Sequence, residues 1–392
     1  MSFANRRAFF RTLPLISLAP TVPGFIADLA RAAEPERDGR LLIVIQLDGG
    51  NDGLNTVVPF KDDGYAKNRK LLKLDSKELI KVGDGIGLHP AMRQAGKLVD
   101  AGLLGIVPGV GYPNPNRSHF ASMAIWQTAR LDTEDHGGPG WLGRGLDSSP
   151  GASSTFIGAG AIPPAIKGRR SVAGSLERLE DLTFDRSLTR PKLSAAGDDL
   201  SAFVRRSALD AYASSDRLAA IATDRSSAAR YPGTPLADRL KLIARLVKGG
   251  YDSRVFYTSQ GGYDTHAQQP GTHYGLLAEL SGALKAFLDD LTAAKLADRV
   301  SILCFSEFGR RVAENASAGT DHGAAGPVFL AGPAIKPGLL GAYPSLTDLD
   351  DGDLKPVVDF RRIYAAILDQ WLGIPPGPAL GGKYEPLPIF RA

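Results

Sequence analysis

The chain has 392 residues, of which 43% are hydrophobic and 22% charged, the balance of a soluble globular protein with enough apolar material for a sizeable core. Its 46 basic and 42 acidic residues leave a formal net charge of +4, too weak and too mixed for a nucleic-acid footprint. A single cysteine, Cys304, excludes an internal disulfide, so the fold must stand on packing alone.

The first 33 residues read as a leader. Asn5-Arg6-Arg7-Ala8-Phe9-Phe10-Arg11 opens it, a weakly apolar stretch runs from Leu13 to about Ala27, and Ala30-Arg31-Ala32-Ala33 supplies small residues for cleavage. Charged start, apolar middle and small-residue end make a secretory signal, and paired arginines followed by Phe specify the twin-arginine route. The other reading is an amphipathic helix with incidental arginines. Pro14, Pro20 and Pro23 interrupt the apolar run, which makes a poor membrane-spanning helix, and no later segment reaches spanning length. The expectation is a periplasmic or secreted protein. Its export partner is the twin-arginine translocase, which it crosses folded and able to carry a metal acquired beforehand.

Residues 34–392 read as one α/β domain. Leu41-Leu42-Ile43-Val44-Ile45 is an apolar run without alternation, so both of its faces should be buried, as in a parallel sheet. It ends in Leu47-Asp48-Gly49-Gly50-Asn51-Asp52-Gly53. A helix near 92–101 leads to a strand over 103–107, and a second helix over 119–129 takes Asn116 or Ser118 as its N-cap. From about 150 to 235 the chain is rich in Ser, Ala, Gly and Arg. Loops with short strands over 152–184 and a helix over 200–220 are expected there, as an insertion or cap. A helix over 237–247 then enters a strand over 254–258, which runs into Gly261-Gly262-Tyr263-Asp264-Thr265-His266. A long amphipathic helix covers 275–294. The next strand, 300–305, buries Cys304 as a structural thiol and leads to Ser306-Glu307-Phe308-Gly309-Arg310. A short strand over 328–330 and a last helix over 360–372 complete the order. Alternating strands and helices predict an open, mostly parallel central sheet with helices on both faces and right-handed crossovers.

In such sheets ligands bind beyond the carboxyl ends of the strands. Three strands here end in polar, glycine-rich text: Asp48, Asn51 and Asp52 after the first, Asp264 and His266 after the third, and Glu307, Arg310, Asp321 and His322 after the fourth. Carboxylates and imidazoles converging from separate elements suit a divalent cation. The candidate metal ligands are Asp48, Asp264, His266, Glu307, Asp321 and His322. Ser118 and His119 at a helix start, and Arg310 as a clamp for an anionic ester, are the candidate catalytic residues. Zinc is the default where histidines contribute; calcium, magnesium or manganese fits a carboxylate-rich set. Each residue also has a structural reading. Asp48 can cap a turn, Asp264 and His266 can form a loop pair, Glu307 can pair with Arg310 or Arg311, and Ser118 can be a plain N-cap. His89 and His136 read as structural or surface residues. His273 is a possible ligand that could equally be a cap or a surface residue. No Gly-x-Ser-x-Gly elbow lies near a candidate histidine, which argues against a metal-free Ser-His-Asp hydrolase.

The texts Leu47-Asp48-Gly49-Gly50-Asn51-Asp52-Gly53-Leu54-Asn55, Asn116-Arg117-Ser118-His119-Phe120, Gly262-Tyr263-Asp264-Thr265-His266, Ser306-Glu307-Phe308-Gly309-Arg310 and Thr320-Asp321-His322-Gly323, with the twin-arginine leader, resemble the exported bacterial family known as domain of unknown function 1501. That family is similar to the alkaline phosphatase and sulfatase superfamily. The resemblance implies an alkaline phosphatase-like α/β fold. It also implies a periplasmic metal-dependent hydrolase of small anionic phosphate or sulfate esters. By the same resemblance Asp48 is the first metal aspartate, Ser118 the nucleophile, and Asp264, His266 and His322 hold one metal. The superfamily's Asp-His pair is replaced here by Glu307-Phe308. A second metal then needs His119 or Asp321 as a substitute. That departure motivates the alternative of a non-catalytic exported metal-binding or assembly protein that retains the hydrolase fold.

Overall fold

The computed structural model describes residues 39–132, 138–149, 151–178, 221, 227 and 229–391. The expected leader over residues 1–33, His136 and the helix expected over 200–220 lie outside the described residues.

The central sheet has nine strands. They are β1 (Leu41–Leu47), β2 (Leu104–Gly111), β3 (Ser153–Ile157), β4 (Val172–Leu176), β5 (Val255–Gln260), β6 (Val300–Ser306), β7 (Gly326–Ala331), β8 (Gly338–Leu339) and β9 (Val358–Asp359). Their order is β8-β2-β7-β6-β1-β5-β3-β4, with β9 also paired to β2. Every pairing is parallel except those of β7, which runs antiparallel to both β2 and β6. The mostly parallel sheet is therefore as the sequence indicated.

Seven consecutive residues of β1 are buried, and the reason is a core on each face. Leu41, Ile43, Ile45 and Leu47 pack with helices α1 (Arg93–Asp100), α4 (Pro235–Lys248) and α5 (Gln269–Ala293). Leu42 and Val44 face the other way, toward α2 (His119–Thr128), α3 (Trp141–Leu146) and α6 (Phe360–Ala366). With a period of two, a strand covered on both sides needs an unbroken apolar run. Cys304 sits in the core on the Ile43 and Ile45 face, and burial pushes its thiol well up.

Two details differ from the sequence reading. Ser153–Ile157 and Val172–Leu176, inside the segment read as an insertion, are parallel strands that extend the main sheet beyond β5. Their Ser, Thr and Gly content hides the apolar signature of a buried strand. The long helix starts at Gln269 rather than 275. Pro270, Gly271 and Gly275 argue against helix locally, yet Pro is well suited to a first turn, and burial of Gln269 and His273 draws that turn in.

The register fixes the site. Leu47 lies opposite Gln260 on one side and Ser306 on the other, so the loops after β5, β1 and β6 leave the sheet side by side at one level. The loop after β2 leaves at the same end, because two antiparallel steps through β7 restore its direction. No helix among the described residues is long and apolar enough to cross a membrane.

A candidate metal centre at the strand ends

The centre of the site is one carboxylate oxygen. Asp264 Oδ1 stands 3.0 Å from His266 Nε2, 3.3 Å from His322 Nε2 and 3.4 Å from His119 Nε2. His266 Nε2 and His322 Nε2 are themselves 2.9 Å apart. His119, Asp264 and His322 each offer one donor atom within 4.8 Å of the others. Sequence positions more than two hundred residues apart are thereby joined.

The far side of each ring fixes which nitrogen carries the proton. His322 Nδ1 lies 2.8 Å from the Arg117 carbonyl oxygen, which only accepts, so Nδ1–H donates. His266 Nδ1 lies 3.0 Å from Asp321 Oδ1, and that hydrogen bond holds the Asp321 carboxyl below its ordinary range. His119 Nδ1 lies 2.7 Å from Glu307 Oε1. With all three Nδ1–H groups committed, neutral rings turn their Nε2 lone pairs inward. His119 Nε2 is buried and makes no hydrogen bond. With the rings in that neutral form, three lone pairs and an anionic oxygen face one another, an arrangement that repels itself unless a proton or a cation stands among them. A histidine whose second nitrogen donates to a carboxylate or carbonyl is the usual setting of a metal ligand.

Phe308 forms a wall of this space, with its ring 4.9 Å from that of His119 and 5.1 Å from that of His322. Burial lowers the pKa of His322, while the Glu307 hydrogen bond raises that of His119 against burial. Burial also works on Asp264 in the raising direction, but Arg310 overcomes it and holds the carboxyl below its usual range.

Several expected roles change. Arg310 is 1% exposed. Its guanidinium donates to the carbonyls of Gly50 at 2.7 Å and Thr320 at 2.6 Å, and to Gly49 and Asp264. It ties three loops together and has no free face for a substrate anion, so the clamp role is corrected to a scaffolding one. Glu307, 2% exposed, accepts from Gly49 N–H at 2.9 Å, from the Ser306 hydroxyl at 2.9 Å and from His119. It stands behind a histidine instead of among the converging donors. Asp321 does the same for His266. Asp48 accepts from the Gln46 amide, and burial raises its pKa. Among the described residues no imidazole is hydrogen-bonded or ion-paired to Asp48. Ser118 is the N-cap of α2, is exposed, and makes no side-chain cap hydrogen bond.

The sequence reading missed the support around this centre. Arg69 and Asp52 form an ion pair with both side chains fully buried. Arg69 also donates to Val312 O at 2.7 Å and Arg311 O at 2.8 Å, and Asp52 accepts from Gln269 at 2.6 Å. The pair ties the loop after β1 to the loop after β6. His273 is buried and bonds Asn51 Oδ1 at 3.0 Å, a structural role away from the three inward-facing rings. His89 is buried as well, with Nδ1 accepting from Ala91 N–H at 3.0 Å.

A comparison with curated proteins found no match. Among solved structures the chain is similar to the lipoteichoic acid synthase LtaP from Listeria monocytogenes, at 13% identity and a TM-score of 0.36, covering 85% of this chain and 79% of that one. It is similar to a protein in the alkaline phosphatase superfamily from Vibrio parahaemolyticus, at 10% identity and 0.35, covering 85% and 76%. The sulfatase PsFucS1 from Pseudoalteromonas sp. matches at 11% identity and 0.37, covering 83% and 69%. The family described as protein of unknown function DUF1501 matches residues 40–374, and the chain belongs to that family.

Proposed function

We propose that this protein is an exported metal-dependent hydrolase of small phosphate or sulfate esters, and that His119, Asp264, His266 and His322 are the residues that hold its cation. The observation that carries the reading is the convergence of three Nε2 atoms on Asp264 Oδ1, each ring held from behind at Nδ1 by an acceptor. Zinc fits best. Two donors on a tetrahedral zinc, each about 2.05 Å away, stand about 3.3 Å apart, close to the 3.0–3.4 Å separations around Asp264 Oδ1. Calcium, magnesium and manganese prefer oxygen-rich sets.

Once bound, the cation supplies Lewis acidity toward a phosphoryl or sulfuryl oxygen. The chain does the rest. Ser118 offers an exposed hydroxyl at the start of α2, next to His119, as the attacking group. Glu307, Asp321 and the Arg117 carbonyl keep the three rings from rotating, and Phe308 shields one side from water. The translocase-mediated export that the leader suggests belongs to the same proposal.

The test is metal analysis of the purified chain, zinc titration, and a screen of aryl phosphates and aryl sulfates with Ser118→Ala and His322→Ala beside the native protein. Stoichiometric zinc, turnover, and loss of turnover in both variants are expected. Absence of binding by all four cations defeats the reading. Zinc binding without turnover favours the second reading, a non-catalytic metal-binding or assembly protein. One observation already favours it: Arg310, the arginine in contact with Asp264 among the described residues, is buried and hydrogen-bonded to the chain itself.

A further inference from the structure

Two arginines on the rim of the site share one pair of aspartates. Arg117, immediately before Ser118, contacts Asp353 Oδ2 through Nε at 2.8 Å and Nη2 at 2.6 Å, and Asp351 Oδ2 through Nη2 at 3.0 Å. Arg311, immediately after Arg310, reaches Asp351 Oδ2 at 3.2 Å and faces Asp353 Oδ1 at 3.6 Å. Both aspartates lie on a small hairpin in which Leu349 pairs with Leu354 and Asp350 with Asp353. The hairpin is anchored: Leu354 is buried with Leu54, Val58 and Val312, and Val312 N–H donates to Gly352 O at 3.4 Å. Asp353 is 1% exposed, and its Oδ1 takes no hydrogen bond, so Arg117 and Arg311 are the groups that compensate its charge.

Each arginine is one backbone group from an imidazole. The Arg117 carbonyl is the acceptor that locks His322 Nδ1–H at 2.8 Å. Arg311 N–H donates to the Asp321 carbonyl at 3.0 Å, and the Asp321 side chain locks His266 Nδ1 at 3.0 Å. These are the two rings whose Nε2 atoms stand 2.9 Å apart.

We infer that Asp353, with Asp351, is a positioning clamp for the histidine pair: it holds Arg117 and Arg311, and through their backbones fixes the tautomer and aim of His322 and His266. The inference rests on the cation reading for its purpose but not for its geometry. Outer partners of this kind change metal affinity by about 10- to 100-fold when removed, and a clamp one step further out sits at the low end. The rim charges also balance, two arginines against two aspartates, so the guanidiniums serve the chain before any ligand.

The experiment uses the full chain labelled with nitrogen-15 histidine. In the metal-free native protein the clamp predicts Nδ1–H tautomers for His322 and His266. Asp353→Asn should convert one or both to a tautomer mixture and weaken zinc binding, measured by chelator competition, about tenfold at unchanged stoichiometry. Arg117→Gln, at a partly exposed side chain, should give the same changes, and it decides the matter if Asp353→Asn does not fold. Arg117→Lys, which keeps the charge, should recover part of the affinity. Asp84→Asn, breaking an exposed pair with Lys61, should change neither readout. Native tautomers and native zinc affinity in folded Arg117→Gln overturn the clamp. A native protein that binds no zinc defeats the cation reading instead, and the tautomer spectra still decide the clamp.

Discussion

Removing Arg69 tests the claim that a buried ion pair fastens the site loops. In Arg69→Met the Asp52 carboxylate loses its 2.5 and 3.0 Å contacts while remaining fully buried. Breaking such a pair from one side costs about 3–5 kcal/mol, and the structure allows the figure to be rebuilt. Burial works to raise the Asp52 pKa and Arg69 overcomes it, so the folded value in the native protein lies below the reference of 3.8. Native Asp52 therefore contributes stability above the unfolded value, lost as pH falls through the lowered folded one. Without Arg69, burial dominates and the folded chain keeps Asp52 protonated. Against an unfolded value of 3.8, holding that proton costs about 1.4 kcal/mol per pH unit, so the cost reaches at most about 4.4 kcal/mol at pH 7 and about 1.6 kcal/mol at pH 5. Urea unfolding at the two pH values reads the difference directly. The deficit of the variant should shrink by more than half between pH 7 and pH 5. Arg69→Met combined with Asp52→Asn should regain much of the loss, because no charge is left stranded. A deficit below about 1 kcal/mol, or one independent of pH, refutes the argument that the ion pair carries the load.

Glu307→Gln keeps an oxygen for His119 Nδ1–H and lets its new amide donate to Ser306. The fold should survive while zinc affinity drops about tenfold, measurable by chelator competition beside thermal unfolding; native affinity would show that the charge behind His119 is idle. His89 and His273 are both held to a pKa of about 4 by burial, below the unfolded 6.5, so the unfolded chain binds more protons in between. Stability should fall as pH drops from 6.5 toward 4, by up to about 3 kcal/mol per group, and His273→Gln should flatten part of the urea-midpoint profile. Gly50→Ala places a Cβ 2.3 Å from the Phe308 ring at a φ of +72°. It should cost about 1–3 kcal/mol and loosen the wall beside His119, seen as weaker zinc binding and a lower unfolding midpoint.

The sheet was legible because its strands obey simple rules. The unbroken apolar run of β1 demanded two covered faces, and the structure has them. Short strands were expected over 152–184, but that β3 and β4 belong to the main sheet was not legible, because Ser153-Ser154-Thr155 and Gly174-Ser175 lack the large apolar side chains by which buried strands are recognised. The start of α5 was hidden because local propensity and tertiary packing disagree at Pro270 and Gly271. The expectation that polar strand ends converge followed from chain direction alone: three parallel neighbours in one register must deliver their loops to one place.

What spacing could not reveal is which acidic groups face the converging donors and which stand behind them. Asp264 and Glu307 follow strands in similar text, yet Asp264 Oδ1 meets three Nε2 atoms and Glu307 meets an Nδ1. The difference lies in the turn: Glu307 directly follows β6 and stays buried where Gly49 N–H and the Ser306 hydroxyl reach it, whereas Asp264 lies four residues past β5, beyond the turn at Gly261 and Gly262, and its side chain is half exposed. Arg310 was misjudged for a related reason. A guanidinium near a site suggests an anion, but the positive φ of Gly49 and Gly50 turns two carbonyls onto it, and the carbonyls of Thr320 and Tyr263 and the Asp264 carboxylate are its further partners. The most informative group of all, the Arg117 carbonyl, has no side-chain identity to read. It selects the tautomer of His322, and that choice puts a lone pair where a proton would otherwise be, separating a site that attracts a cation from one that repels it.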